Sequence, residues 1–404
     1  MRVRFLETAD AGALRSRHAG LTAALADRLA AAAEARLLAV DDALAPAARA
    51  ALEATGAVIA DEGTTVLVAA TRTQLSTARA AAPPAIDALL SAFDRAAGTP
   101  AEWRLRGRTL ALRDEARVMG IVNVTPDSFY ERVDGVADAV ASARRIVAAG
   151  GALVDVGGQS YAHWNRRVSA DEERARVVPA VEAIVADGLD VAISIDTFKA
   201  RVADAALAAG AHLINDCSGL SDPDLPGVVA THGAGLVVMH LRGELNVREP
   251  ERYVYRDALA EIVAFLHERT ERAVAAGVAR EAIAIDPGLE FGKEPATDLE
   301  ILERFGELRA LGYPILFASS RKSFIGRIFG RPAKELLVPS LATAALGIAA
   351  GARVLRVHDV AETAQLARMM AAVAPNRRAS LAIADAMPGT PAAGNPATPP
   401  AVSP

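Results

Sequence analysis

A (β/α)₈ TIM barrel with a small N-terminal α/β accessory domain and a disordered C-terminal tail is the fold class this sequence predicts, on three observations. From Val118 onward, short apolar runs of strand length alternate with amphipathic stretches of helical period. Eight such pairs fill roughly 250 residues, the size at which parallel strands close into a barrel. Each run ends in polar side chains, as barrels do when they gather chemistry on one face. The competing arrangement, a doubly wound open sheet, lacks its glycine-rich fingerprint after the first strand.

Taken in order, residues 1–100 read as the accessory domain. Helical spacing covers 21–38, a strand covers 65–69, and helices cover 74–80 and 86–97, divided by Pro83-Pro84. A lone His18 and no glycine-rich loop give that domain no sign of chemistry. The stretch 103–112 alternates polar and apolar around Gly107, the pattern of a hairpin that would plug the bottom of the barrel. The barrel domain, 101–380 with this hairpin, has strands expected near 118–123, 152–156, 191–195, 211–215, 235–239, 282–286, 314–318 and 353–357. Helices are expected at 136–149, 171–186, 198–209, 258–276, 298–311 and 361–373. Residues 341–350 are apolar enough for a helix buried inside one chain or shared with a second subunit, and burial is the expectation. The tail 387–404, rich in Pro, Ala, Gly and Thr, predicts disorder.

A formal net charge of −5 leaves no electrostatic footprint for nucleic acid. No run of about 20 apolar residues occurs, so no membrane span is expected. A single cysteine, Cys217, excludes an intrachain disulfide framework and fits a reducing cytoplasm. Its small side chain suits packing near a strand end better than nucleophilic chemistry.

The polar strand tips are Asn123, Asp155 with Gly157-Gly158-Gln159-Ser160, Asp196, Asn215-Asp216, Met239-His240, Asp286, the 319–323 run SSRKS, and Arg356 with His358-Asp359. Loops after the last two strands commonly hold phosphate, and Arg321, Lys322, Arg356 and His358 suit a phosphate or pyrophosphate there. Alternatively, Arg321 or Arg356 forms a rim salt bridge. Asn123 offers an oxygen ligand to Mg²⁺ on the same anion, or caps the turn that follows it. Asp196, Asn215 and Asp286 can reach the central mouth, where they would receive ring N–H donors of a flat heterocycle; alternatively, Asp196 or Asp286 caps the helix it precedes.

The motifs NVTPDSF (123–129), SIDTFK (194–199), LIND (213–216), DPG with FGK (286–293), SRKSFIG (320–326) and RVHDV (356–360) together resemble dihydropteroate synthase. The resemblance implies a transferase of folate biosynthesis that joins 6-hydroxymethyl-7,8-dihydropterin diphosphate to para-aminobenzoate or a related aryl amine, with Mg²⁺ and loss of pyrophosphate. It implies that Asp196, Asn215, Asp286, Lys322 and Met239 hold the pterin, and that Asn123, Arg356 and His358 serve the diphosphate, with Asn123 on the metal. Lys322, Arg356 and Asp196 would carry catalysis, Ser160, Tyr161, Phe291 and Ser323 would line the amine side, and homodimerisation is an expectation from the resemblance. Three departures fall in the loops. Gln159-Ser160-Tyr161-Ala162-His163-Trp164 stands where the family has Glu-Ser-Thr-Arg-Pro-Gly, Tyr130-Glu131-Arg132 where it has Ser-Asp-Gly, and Glu290 where it has glycine. An altered use of para-aminobenzoate is therefore expected, with Arg132, Arg166 or Arg167 as replacement cations. A non-catalytic pterin-binding paralogue and, behind it, a pterin-dependent methyltransferase are the alternatives.

Overall fold

The computed structural model describes residues 3–6, 36–40, 44–62, 65–125, 135–161, 167–247 and 253–373. The turn at 126–128, Tyr130 to Arg132, Ala162 to Trp164, Arg166, His18 and the tail 387–404 lie outside them.

The N-terminal unit is an antiparallel sheet of β1 (Val3–Leu6), β2 (Arg36–Val40), β3 (Val58–Glu62) and β4 (Thr65–Ala70), in the order β1-β2-β4-β3. Helices α1 (Pro46–Ala54), α2 (Arg72–Ala78) and α3 (Pro83–Ala97) accompany it, and Leu38, Val68, Leu52, Leu75 and Leu89 share its core. Thr71 starts α2 with a capping box, its side chain accepting from the Gln74 amide while Gln74 returns to the Thr71 amide. The helix expected over 21–38 is corrected at its end, where Arg36 to Leu38 belong to β2. A five-residue apolar strand at the end of an Ala-rich run has no periodicity of its own to mark it. Ala310, in the 3₁₀ turn Phe305–Leu311 of the barrel, joins the same core, so α3 docks the unit there.

The barrel strands are β7 (Arg117–Asn123), β8 (Leu153–Gly157), β9 (Ala192–Asp196), β10 (Leu213–Asp216), β11 (Gly235–Met239), β12 (Ile283–Asp286), β13 (Leu316–Phe317) and β14 (Val354–Val357). All pair in parallel in the order β12-β11-β10-β9-β8-β7-β14-β13, and the parallel bridge Ile285 to Ile315 closes the ring. Their outward residues, such as Val154, Val156, Ile193, Ile195, Leu236 and Ile285, form one large core with the surrounding helices. Strands covered on both faces read as continuous apolar runs, which is why they were legible. A short helix, α7 (Leu225–Thr231), follows strand four, where a helical segment was expected but no range was assigned; its predecessors are α4 (Val136–Ala148), α5 (Ala170–Ala186) and α6 (Ala200–Ala208).

The hairpin β5 (Glu102–Leu105) and β6 (Arg108–Ala111) turns through Gly107 at φ 65°. Trp103, Leu105 and Leu112 pack against Met119, Leu153, Ala192, Leu213, Val237, Ala284, Leu316 and Val354, filling the barrel's N-terminal mouth. Trp103 Nε1 donates to the Ala282 carbonyl at 2.9 Å. A Cβ on Gly235 would lie 2.5 Å from Leu105 Cδ2, so the plug requires glycine at that strand start.

Beside the plug, His212 Nδ1 accepts from the Ile193 amide at 3.0 Å, with Arg108 Nε 3.1 Å from Nε2. Burial, then Arg108 and Arg106, pull this imidazole down to about 4 from 6.5. A depressed folded pKa means the unfolded chain binds the extra proton first, so stability present above about 6.5 is lost as pH falls toward 4. A His212→Asn variant is expected to flatten that part of the curve, measured by urea unfolding at about pH 4.5 and pH 7.

Candidate active site

Side chains alternate along a strand, so residues two and four beyond each plug contact face the same interior, nearer the C-terminal mouth. Met119 leads to Ile121 and Asn123, Leu153 to Asp155 and Gly157, and Ala192 to Ser194 and Asp196. Leu213 leads to Asn215, Ala284 to Asp286, and Val354 to Arg356. The plug thus sets the register in which polar groups appear at the mouth.

At its centre, Arg356 Nε donates to Asp155 Oδ2 at 2.6 Å and Nη2 to Asp196 Oδ2 at 2.7 Å. Asn215 Nδ2 donates to Asp155 Oδ2 at 3.1 Å, and Ser194 Oγ donates to Asp155 Oδ1. Asp155 is fully buried, and a carboxylate there requires a paired cation and filled lone pairs. Burial pushes the Asp196 carboxyl up to about 7 against the pull of Arg356, with the Asp155 charge adding to the rise. Burial works against the Arg356 charge too, but Asp155 and Asp196 outweigh it and raise the guanidinium above its usual range. Cys217 Sγ lies 3.4 Å from Asp196 Oδ1, and burial raises its thiol well above the usual range, which matches a packing role. Asn123 ends β7 with Oδ1 3.4 Å from where a Cβ on Gly157 would stand.

Across the mouth, buried Asp286 accepts the Gly288 amide at 2.7 Å, and burial raises its carboxyl while Lys322 opposes the rise. Lys322 precedes α10 (Ser323–Phe329), counting α8 (Ala258–Ala275) and α9 (Pro295–Glu303) before it, and leaves Ser323 as that helix's first residue. Its Nζ donates to the Leu289 carbonyl at 2.6 Å and sits 5.1 Å from the Phe291 ring centroid. Lys293 fastens the same loop from behind, through the carbonyls of Gly288 at 2.7 Å and Phe291 at 3.0 Å and through His240 Nδ1 at 2.8 Å. Burial draws Lys293 down to about 7 and holds the His240 imidazole well below its usual range, so that ring is a neutral acceptor.

The loop after strand two is also held. Buried Gln159 receives Lys199 Nζ at 2.6 Å and gives Nε2 to Asn246 Oδ1 at 3.1 Å, while Lys199 pairs with fully buried Glu173. The Ser160 carbonyl accepts from Asn246 Nδ2 at 2.9 Å. Tyr161 donates its hydroxyl to the Asp196 carbonyl at 3.3 Å, and its ring, 6.2 Å from that of Phe198, packs with Cys217, Met239, Leu245 and Phe291. Of the replacement cations, Arg167 is taken by Glu244 at 3.0 Å, and Arg132 and Arg166 lie outside the described residues.

Of the basic residues expected to meet an anion, Arg321 is a brace instead. It grips Asp359 through Nε at 2.8 Å and Nη2 at 2.6 Å and donates Nη1 to the Ala333 carbonyl at 2.7 Å, so the rim salt bridge is what this residue forms. His358 Nδ1 is 3.1 Å from Ser320 Oγ, and burial with Arg356 beside it lowers the ring to about 4. It is therefore uncharged at neutral pH. Asp155, Gln159 with Lys199 and Glu173, and Lys293 with His240 hold the mouth together although no motif in the sequence marks a role for them. A carboxylate in the middle of the buried strand LVDVG was a usable signal for the first. Among the described residues no three His, Cys, Asp or Glu side chains are grouped to hold a metal ion.

The family model described as pterin binding enzyme matches residues 119–358. The dihydropteroate synthase of Bacillus subtilis (strain 168) is 40% identical over 65% of this chain and 90% of its own length. A protein of Mycobacterium bovis named inactive dihydropteroate synthase 2 is 43% identical over 67% of this chain and 86% of its own. The solved dihydropteroate synthase of Thermus thermophilus in complex with 4-aminobenzoate superposes with a TM-score of 0.61 at 36% identity, over 68% of this chain and all of the other. A closed parallel barrel, a mouth lined by Asp196, Asn215, Asp286, Lys322 and Arg356, and these likenesses lead to one conclusion: the chain belongs to the dihydropteroate synthase family of pterin binding enzymes.

Proposed function

We propose that this chain transfers the pterinylmethyl group of 6-hydroxymethyl-7,8-dihydropterin diphosphate to an aryl amine, releasing pyrophosphate. The observation that carries this reading is the convergence of Asp196, Asn215 and Asp286 with Lys322 and Arg356 on one mouth, although the five lie on five different segments. Carboxylates and an amide accept the ring N–H groups of a pterin and fix its methylene carbon in place. The C–O bond to the diphosphate breaks with its electron pair leaving on pyrophosphate, and the amine lone pair forms the new C–N bond as its proton passes to solvent. Lys322 and Arg356 stabilise the anionic charge that develops, the former from an end of the mouth where, among the described residues, its Nζ meets a backbone carbonyl and an aromatic ring.

The donor chemistry at the mouth suits a magnesium ion, since Asn123 ends β7 there with an amide oxygen and this ion takes few protein ligands alongside phosphate oxygens. Asn123 would hold it, and when bound it would neutralise charge on the diphosphate. Cytoplasmic location fits the single buried cysteine, and no described helix is long and apolar enough to cross a membrane. Homodimerisation is supported by α11 (Leu337–Ala350), which buries Ser340, Ala344 and Gly347 but exposes Val338 and Leu346, and by the exposed Ile328 and Phe329 of α10. That corrects the expectation of a helix buried within one chain.

A second reading, pterin binding without turnover, is favoured by the 43% identical relative named as inactive. The two separate when the protein is mixed with the pterin diphosphate, Mg²⁺ and aryl amines and both pyrophosphate and coupled product are followed. Stoichiometric appearance of both supports the transferase; binding with neither supports the second reading.

A further inference from the structure

The loop after strand two departs from the family at its first residue, where Gln159 replaces a glutamate. An amide both accepts and donates, whereas a carboxylate only accepts, and both ends of this amide are used. Buried Gln159 takes Lys199 Nζ on Oε1 at 2.6 Å and, more weakly, the Val168 amide at 3.4 Å, while its Nε2 donates to Asn246 Oδ1 at 3.1 Å. The lysine on Oε1 fixes which end of the amide is which. Asn246 passes the link on, its Nδ2 donating to the Ser160 carbonyl at 2.9 Å. It does so from φ 62°, a region that asparagine enters more readily than most side chains.

Lys199 has little to spare for a different partner. It also meets the Val168 carbonyl at 2.8 Å and Glu173 Oε2, and Glu173 Oε1 is buried without a hydrogen-bond partner. A second carboxylate at position 159 would have to share that one ammonium. From the far stem of the loop, Arg167 donates to the Leu245 carbonyl at 2.8 Å. The loops after strands two and five are thus joined by Gln159 to Asn246, Asn246 to Ser160 and Arg167 to Leu245. Between these links Leu245 clusters with Met239 and Cys217, and Tyr161 and Phe291 pack against them. The Tyr161 hydroxyl reaches the Asp196 carbonyl at 3.3 Å, so this apolar wall adjoins the polar centre of the mouth.

Resting on the transferase reading above, we infer that Gln159 is a positioning residue for the aryl amine. By dividing one amide between Lys199 and Asn246 it ties the loops after strands two and five together and holds Tyr161 and Leu245 as one wall for the ring of the amine. Its effect passes through Asn246 and Ser160, and it governs whether the wall is in place when the amine arrives.

The test uses the full chain with 6-hydroxymethyl-7,8-dihydropterin diphosphate, Mg²⁺ and 4-aminobenzoate as the probe amine, and follows the coupled product. Gln159→Glu keeps the acceptor that Lys199 uses and removes the donor that Asn246 uses. The KM for 4-aminobenzoate is expected to rise about tenfold, with kcat and the KM for the pterin diphosphate held within about twofold. Asn246→Ala cuts the same link from its other end, should give the same shift, and carries the test if the glutamate variant folds poorly. The double variant is expected to be no worse than either single one, because both changes break one relay. An amine KM unmoved in both variants, a fall in kcat alone, or two shifts that multiply in the double variant overturns the inference and leaves the transferase reading intact. A wild-type chain that forms no coupled product overturns that reading for this amine and the inference with it.

Discussion

Replacing Arg356 with methionine is expected to lower kcat/KM by about 10³-fold, equivalent to roughly 4 kcal/mol of lost stabilisation. The guanidinium bridges Asp155 and Asp196 at 2.6 and 2.7 Å, from strands that meet it on the far side of β7. Without it, two carboxylates face each other in a buried space, and the inexpensive response is for one to keep a proton. Asp196 is the candidate, since burial already holds it at about 7. On the proposed function, a protonated Asp196 would donate where a pterin ring N–H needs an acceptor, so binding and chemistry would fail together. The sign of the stability effect follows from linkage: a carboxyl raised in the folded state favours folding most below its unfolded value near 4, and that contribution is lost as pH rises through the folded value. Thermal melts should therefore show the variant closest to wild type near about pH 4 to 5 and furthest below it above about pH 7. Arg356→Lys keeps a charge but not the fork that reaches both carboxylates, and should recover only part of the rate.

Trp103→Ala is expected to cost about 3–5 kcal/mol in unfolding free energy, the range for deleting a large buried aromatic side chain. Trp103 is fully buried beneath the strands, and its loss also strips the Ala282 carbonyl of its indole donor. Urea denaturation measures this directly. A cost under about 1 kcal/mol would mean that the barrel closes without its plug. The distinction bears on the site, because the layer resting on Trp103 fixes the register of Asp155, Asn215, Asp286 and Arg356 one step above.

How far the sequence reveals this protein depends on the range of the interaction. Runs such as AISID and LIND carry their own signature, being apolar until the residue that reaches the mouth. Strand alternation then assigns Asp196, Asn215 and Asp286 to one space without further information. The accessory domain was harder, because β2 is five residues long and its neighbours in sequence are Ala-rich. Long-range pairing was out of reach. Arg356 and Asp155 are 201 positions apart, Arg321 and Asp359 38, and no local pattern states that one arginine closes the site while the other braces the rim. Glu290 was visible as a departure, but its contact with the Phe324 amide depends on how two loops cross.

If Asp196, Asn215 and Asp286 form one receptor for a pterin, calorimetric titration with 6-hydroxymethyl-7,8-dihydropterin reads that binding without any contribution from turnover. Wild type is expected to bind one equivalent per chain with a dissociation constant on the order of micromolar, and Asp286→Asn to bind at least about 30-fold more weakly. No heat with the wild-type chain, or an equal affinity in the variant, would contradict the account.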